Sequence, residues 1–334
     1  MSDHDELPDL LGPIPLDVQR SSKPVFTIPT TKFVRPCEDI EPETKEFEGF
    51  PTIATRYAVL TTELPLAGAN AMKPTANGDL AITAHLRSCA PWYEHAINLL
   101  DQQWQLQLWL GRPWISFRPM LLVGPPGCGK SHLARMIAER AGTGHSVLSL
   151  VGVADSVTVE GTPRGYTSTM PCFSALTMAQ HCTANPIAVI EEIDKAVSSS
   201  RNGDPIAALL TLIEPGTARQ YWDRCLAAPI DASHVNWIFT ANSLEGVSAP
   251  LLSRMDIVRV TGPAPGHFEV LLSGLTEELA REWGVPLTDL PCLADEAEEL
   301  LRKQFAKHRS VLRLDRELRA AMAAGVGLAE RRLS

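Results

Sequence analysis

The stretch Gly124-Pro125-Pro126-Gly127-Cys128-Gly129-Lys130-Ser131 leaves few folds open to this chain. It lies between an apolar run, Met120-Leu121-Leu122-Val123, and a helical pattern over residues 131–141. A Gly-x-x-x-x-Gly-Lys-Ser segment that follows a strand and opens a helix is the pattern of a phosphate cradle. The glycines let the backbone turn so that successive N–H groups face an anion. The helix N-terminus adds its partial positive charge. Lys130 is expected on the β- and γ-phosphates, and the Ser131 hydroxyl on a Mg²⁺ ion. With His132 at the start of the helix, residues 124–132 form the expected nucleotide contact. ATP and Mg²⁺ are therefore the expected cofactors.

The pattern around this loop alternates strands and helices. Strands are expected at residues 120–123, 146–151, 187–190, 235–240 and 257–260, and helices at 91–110, 131–141, 173–183 and 205–214. In the first of these helices Trp92, Ile97, Leu100, Trp104 and Leu108 recur at helical spacing, which reads as a core-facing stripe. Asp204 is expected to cap the last, with Pro205 at its first position. Such alternation implies an α/β fold, a parallel sheet with helices on both faces. After Pro263 and Pro265 the pattern is all helical, over 266–283, 294–307 and 311–323. The expected domains are an N-terminal extension at 1–84, an α/β domain at 85–262 and a small helical lid at 263–334.

Ten of the 26 prolines fall before residue 80. Proline resists helix and central strand alike, so residues 1–42 are expected to be extended or disordered. Residues 49–66 have the β-branched content of a strand or hairpin. The extension reads either as a docking segment or as a flexible tail. The acidic start, Met1-Ser2-Asp3-His4-Asp5-Glu6, lacks a signal peptide's basic and apolar stretches, and no run of eighteen apolar residues exists. A cytoplasmic location without membrane contact is expected. Seven cysteines without a C-x-x-C pair read as reduced thiols, not as a disulfide frame or zinc site. The net charge of −9 argues against a nucleic-acid surface.

A second chemical signal is Ile187-Ala188-Val189-Ile190-Glu191-Glu192. An apolar strand ending in acids brings carboxylates to the sheet edge beside the phosphate loop. Glu191 is expected to hold Mg²⁺ and its water shell, and Glu192 to orient and deprotonate an attacking water. The usual first acid of such a strand is Asp; Glu191 keeps the charge but moves its oxygens by roughly a bond length.

With these motifs in place, the chain resembles the AAA+ ATPases, and within them the ATPase module of Lon proteases. The resemblance rests on GPPGCGKSHLARMIAERAG, VGVADSVTVEGTPRGYTSTMPC, NPIAVIEEIDKA, NGDPIAALLTLIEP and FTANSLEGVSAPLLSRMDIVRV, together most of residues 120–260. It implies that Asn242 is sensor 1, an amide that helps hold the attacking water. It implies that Arg254 is the arginine finger offered to ATP on a neighbouring subunit, where charge builds on the γ-phosphate. Tyr166 resembles the aromatic pore-loop residue that grips a polypeptide, although the family's following aliphatic residue is here Thr167. For the sensor 2 arginine of the lid the aligned place holds Leu312; Arg313 is the candidate, with Arg309 and Arg316 as rivals.

The resemblance implies a homo-oligomeric ring, a hexamer favoured, acting on a protein substrate, with a separate protease or effector as a further partner. The chain ends soon after the lid and shows no other hydrolase motif, so no peptidase activity of its own is expected. Two other readings stay open. One is a slowly hydrolysing, nucleotide-gated scaffold; the other is a nucleic-acid-directed factor of a mobile element or defence system.

Overall fold

The computed structural model describes residues 32–43, 51–152, 155–166, 169–196 and 203–333, with side chains to residue 324. Its centre is a five-stranded parallel sheet. The strands are β1 (Met120–Val123), β2 (His145–Ser149), β3 (Ile187–Glu191), β4 (Asn236–Ala241) and β5 (Asp256–Arg259), in the order β2-β3-β4-β1-β5. Helices flank it in chain order: α1 (Ala81–Cys89), α2 (Glu94–Trp109), α3 (Lys130–Ala141), α4 (Phe173–His181) and α5 (Pro205–Ile213). The lid follows as α6 (Phe268–Trp283), α7 (Asp295–His308) and α8 (Val311–Leu333). The α/β fold with a helical C-terminal region is as the sequence implied.

Side-chain alternation along the strands splits the interior into two layers. Leu121 and Val123 of β1, Ala188 and Ile190 of β3, and Trp237 and Phe239 of β4 face one side, against Phe173 and Met178 of α4 and Leu209 and Leu212 of α5. Met120, Leu122, Ile187, Val189 and Ile238 face the other, against Leu133 and Ile137 of α3 and Ile97, Leu100 and Trp104 of α2. Because both faces are covered, these strands read as continuous apolar runs instead of alternating ones. Trp104 is fully buried, and its truncation to Ala would cost about 3–5 kcal/mol. Asp204 caps α5 as expected, its carboxylate accepting from the Ile206 N–H. A separate cluster around Phe268, Leu279, Leu301, Phe305, Leu314 and Leu318 forms the core of the lid.

The sheet register fixes the site. Val123 pairs with Ala241 on one side and Arg259 on the other, and Ile190 pairs with Phe239. The phosphate loop after β1, the acids ending β3 and Asn242 after β4 therefore share the carboxyl edge of three adjacent strands.

The N-terminal region departs from expectation. Phe33–Val34 pairs antiparallel with Leu64–Pro65, and Cys37, Leu60, Leu64 and Leu66 are buried in the same layer as β1 and β3. Residues 51–66 hold a short helix, Ile53–Arg56, a tight turn, Ala58–Thr61, and the strand Leu64–Pro65, and the strand's partner is Phe33–Val34, so they form no hairpin of their own. The boundary expected after residue 84 falls inside α1, whose Ile82 and Leu86 pack against the sheet side of α2 and α3. Prolines keep the segment extended, and its scattered apolar residues are still worth burying. The disorder expected of residues 1–31 lies outside the described residues. Among the elements without a sequence expectation are α1 and the antiparallel pair Tyr221–Asp223 with Ala228–Ile230. No helix of the described residues is long and apolar enough to cross a membrane.

Candidate active site

The phosphate loop leaves β1 at Gly124, where the backbone passes β5 so closely that a Cβ would lie 2.0 Å from the Val260 carbonyl oxygen. It ends at Gly129, left-handed at φ +92°, where a Cβ would lie 2.1 Å from the Tyr93 hydroxyl. Tyr93 is buried, and that hydroxyl donates to the Gly129 carbonyl at 2.6 Å. Pro125, Pro126 and Gly127 are exposed on the crest of the loop, and Cys128 is buried beneath it. Burial raises the Cys128 thiol above its ordinary range, so it acts as a small apolar filler. Gly129 offers α3 no side-chain cap. The first N–H groups of the helix are thus left for an anion.

Lys130 is buried, and its ammonium donates to the carbonyls of Gly124 at 2.7 Å and Pro125 at 3.1 Å, and to Asn242 Oδ1 at 3.1 Å. The next residue, Ser131, donates its hydroxyl to Glu191 Oε1. A hydroxyl and a carboxylate brought together at the mouth of the loop are the hard oxygen donors that Mg²⁺ takes. Ser131 and Glu191 fit that ion, and the Lys130 ammonium with the helix N-terminus fits a triphosphate.

Glu192 sits just past β3 at φ +54°, a conformation that costs a non-glycine residue about 1 kcal/mol or more. One cross-link holds it there, and a second ties the turn that follows. The Glu192 N–H donates to Thr240 Oγ1 at 3.2 Å, and Asp194 Oδ2 accepts from the Asn242 N–H at 3.2 Å. Thr240 and Asp194 were not singled out from the sequence, although each lies within a quoted motif. Tyr93 carried no signal, because its bond to Gly129 spans 36 positions.

His132 lies one residue beyond Ser131, but its ring turns toward the lid. Its Nδ1 is 3.0 Å from an Arg135 guanidinium nitrogen, and Arg135 is paired with Glu278 of α6. Burial, then the Arg135 charge, pushes the imidazole below its ordinary pKa. Trp92 also meets the lid, tilted against His267 at 5.6 Å between ring centroids.

The sensor 2 candidate Arg313 is engaged within the lid. Arg313 donates to Glu317 Oε1 at 2.7 Å and to Gln304 Oε1 at 3.4 Å. On α8 it is Leu312 that faces the loop, its Cδ1 3.9 Å from where a Gly127 Cβ would sit. Arg316, one helical turn beyond Leu312 on that face, is exposed and has no ion pair among the described residues. Arg254 is not brought to its own loop. It pairs with Glu214 at 3.0 Å, donates to the Pro250 carbonyl at 3.0 Å, and lines a surface hollow with Gln107 and Arg118. Tyr166 is 67% exposed at the tip of its loop; Thr167 lies outside the described residues.

Residues 120–262 match the family model for the ATPase family associated with various cellular activities (AAA). The chain is 34% identical over 200 residues to the Lon protease of Clostridium beijerinckii, covering 60% of this chain and 25% of that protein. It is 32% identical over 213 residues to the peroxisomal Lon protease homolog 2 of Zea mays, covering 63% and 24%. Lon protease 2 of Herpetosiphon aurantiacus is 35% identical over 207 residues, covering 60% and 24%. The chain thus spans about a quarter of the length of these relatives.

Proposed function

From the match of residues 120–262 to the AAA family model and the similarity to Lon proteases, we propose that the chain carries a Lon-type ATPase domain and is a Mg²⁺-dependent, ring-forming motor that hydrolyses ATP to remodel a polypeptide. The observation that carries the reading is the convergence of Lys130, Ser131, Glu191 and Asn242 at one sheet edge. Lys130 would exchange its carbonyl partners for the β- and γ-phosphate oxygens. Mg²⁺ held by Ser131 and Glu191 would neutralise charge on those same oxygens. Glu192 takes the proton of the attacking water, which Asn242 helps to orient. Its strained backbone, cross-linked to Thr240, supports that role, because a base must be held in place before the water arrives. Arg254, exposed and away from its own loop, acts on ATP held by the next subunit. The exposed Tyr166 loop contacts the polypeptide, and a cytoplasmic setting fits seven cysteines that are all free.

Steady-state ATPase rate, with and without unfolded casein or DNA, tests this reading. Stimulation by casein supports it; stimulation by DNA alone would redirect it to a nucleic-acid factor. Ring assembly is tested by mixing Lys130→Ala with Arg254→Ala. Each lacks a different half of a shared site, so mixtures should recover activity that neither has alone. A monomer whose specific rate is independent of concentration would refute the ring.

One pair of observations favours a second reading, a slow nucleotide-gated scaffold. Glu191 replaces the usual Asp, and the lid presents Leu312 to the loop where a cation is expected. A basal rate that casein leaves unchanged, with ATP-dependent assembly, would select it.

A further inference from the structure

The loop that carries Tyr166 stands on two feet, and each is tied to the same hairpin. Across its base the Thr162 N–H donates to the Met170 carbonyl at 2.7 Å. Near its tip Thr169 Oγ1 donates to the Tyr166 carbonyl at 2.9 Å. Just past the second foot, the Cys172 N–H donates to the buried Asp223 carboxylate at 2.7 Å. Asp223 also accepts from Cys225 and Leu226 N–H at 2.9 and 2.8 Å, fixing the turn of the hairpin.

The first foot is Arg164, two residues before Tyr166. Its Nε donates to the Cys225 carbonyl at 2.7 Å and one Nη to the Leu226 carbonyl at 2.7 Å. The same Nη donates to the Glu41 carbonyl at 2.8 Å, and the other Nη to Pro42 at 3.4 Å. One guanidinium thus joins four backbone oxygens from two segments more than 60 and 120 residues away in sequence. The Glu41–Pro42 segment is itself seated. The Cys37 N–H donates to Leu60 O at 2.9 Å, the Asp231 N–H to Pro36 O at 2.6 Å, and Cys37 is buried. Between Arg164 and Tyr166 stands Gly165 at φ +98°, so the chain reverses directly from the anchored residue to the exposed ring.

We infer that Arg164 is the positioning residue of the Tyr166 loop, and that residues 32–43 belong to the mounting of that loop. Only a planar fork of five N–H donors can reach both pairs of carbonyls; a lysine ammonium is a point donor and cannot span them. One side chain bonds both segments, so removing it loosens both together. The inference rests on the reading of Tyr166 as a polypeptide contact. It goes further in making that contact depend on the N-terminal segment.

The test compares the parent with Tyr166→Ala, Arg164→Lys and Arg164→Gln in the full chain. Binding of fluorescent unfolded casein is measured by anisotropy with a non-hydrolysable ATP analogue. Hydrogen exchange is followed over residues 37–43, 162–170 and the sheet. Both Arg164 variants should speed exchange in the first two segments and leave the sheet unchanged. They should weaken casein binding about three- to tenfold, the cost of re-ordering a freed side chain and loop. In casein-stimulated ATPase assays the casein KM should rise while the rate at saturating casein is kept, a split that general unfolding would not give. Parent-like casein affinity in Arg164→Gln, with Tyr166→Ala weakened, overturns the inference. So does faster exchange at only one of the two segments. If Tyr166→Ala binds casein like the parent while both segments still loosen in the Arg164 variants, the polypeptide reading fails and the mounting stands. Arg164→Lys keeps the charge and most of the volume, so it gives a folded variant if Arg164→Gln does not.

Discussion

Lys130 Nζ and Asn242 Oδ1 lie 3.1 Å apart across the carboxyl ends of neighbouring parallel strands. The residues are 112 positions apart in sequence, and their contact joins the phosphate loop to the amide that follows β4. Lys130→Ala removes the one side-chain cation at this point. Its loss should weaken ATP binding about 10- to 100-fold, the worth of a charged hydrogen bond, roughly 1.5–3 kcal/mol. Asn242→Ala should leave nucleotide affinity nearer the parent value and lower turnover. Titration with a fluorescent ATP analogue and a steady-state assay separate the two; unchanged affinity in Lys130→Ala would remove the phosphate-loop assignment.

Glu192→Gln keeps the shape of the side chain and loses the carboxylate that takes the proton. Nucleotide binding should persist while turnover falls about 10²- to 10⁴-fold. Glu191→Asp is the companion: faster turnover would identify the natural glutamate as a brake at the Ser131 contact. Single-turnover hydrolysis is the measurement, and parent-like turnover in Glu192→Gln would place the base elsewhere.

In the lid, Arg313→Ala removes an exposed pair with Glu317 and a long bond to Gln304, so the ATP KM should stay within about twofold of the parent. Arg316→Ala should raise it, since Arg316 stands on the face of α8 that Leu312 turns to the loop. Leu312→Arg should lower it by placing a cation opposite Gly127. The reverse order, with Arg313→Ala the damaging change, would show that α8 rotates when nucleotide binds.

The His132 imidazole has its folded pKa lowered, by burial first and by Arg135 second. The unfolded chain therefore takes up a proton at a higher pH than the folded one. Stability from this group is complete above the ordinary histidine pKa of about 6.5 and is lost as pH falls from there through the folded value. The melting temperature should drop on acidification from pH 7.5 to 5.5, and less steeply in His132→Gln. His85, His145 and His234, also lowered by burial, supply the remaining slope. An identical slope in His132→Gln would show that His132 is not part of it.

Much of this protein was legible before its structure. Strand, glycine loop and helix are consecutive in the chain, so Gly124–Ser131 announced a phosphate cradle by local pattern alone. The acids at 191 and 192 did likewise, because a buried parallel strand needs an unbroken apolar run and the first charges mark its end. The helical spacing of Ile97, Leu100 and Trp104 gave the covering helix. What the sequence left undecided depends on contacts between distant segments. A proline-rich stretch reads as a tail, because nothing local reveals that Cys37 and Leu60 complete a core built from β1 and β3. The direction of Arg313 depended on the rotation of α8 against the lid core, where Leu314 and Leu318 take the buried face and send Arg313 to Glu317. Tyr93 on Gly129, and Arg164 on Glu41 and Leu226, are bonds between side chains and backbone carbonyls. Every residue, proline included, offers the same backbone carbonyl, so such acceptors leave no mark in a sequence, and only the packed chain selects which carbonyl a side chain meets.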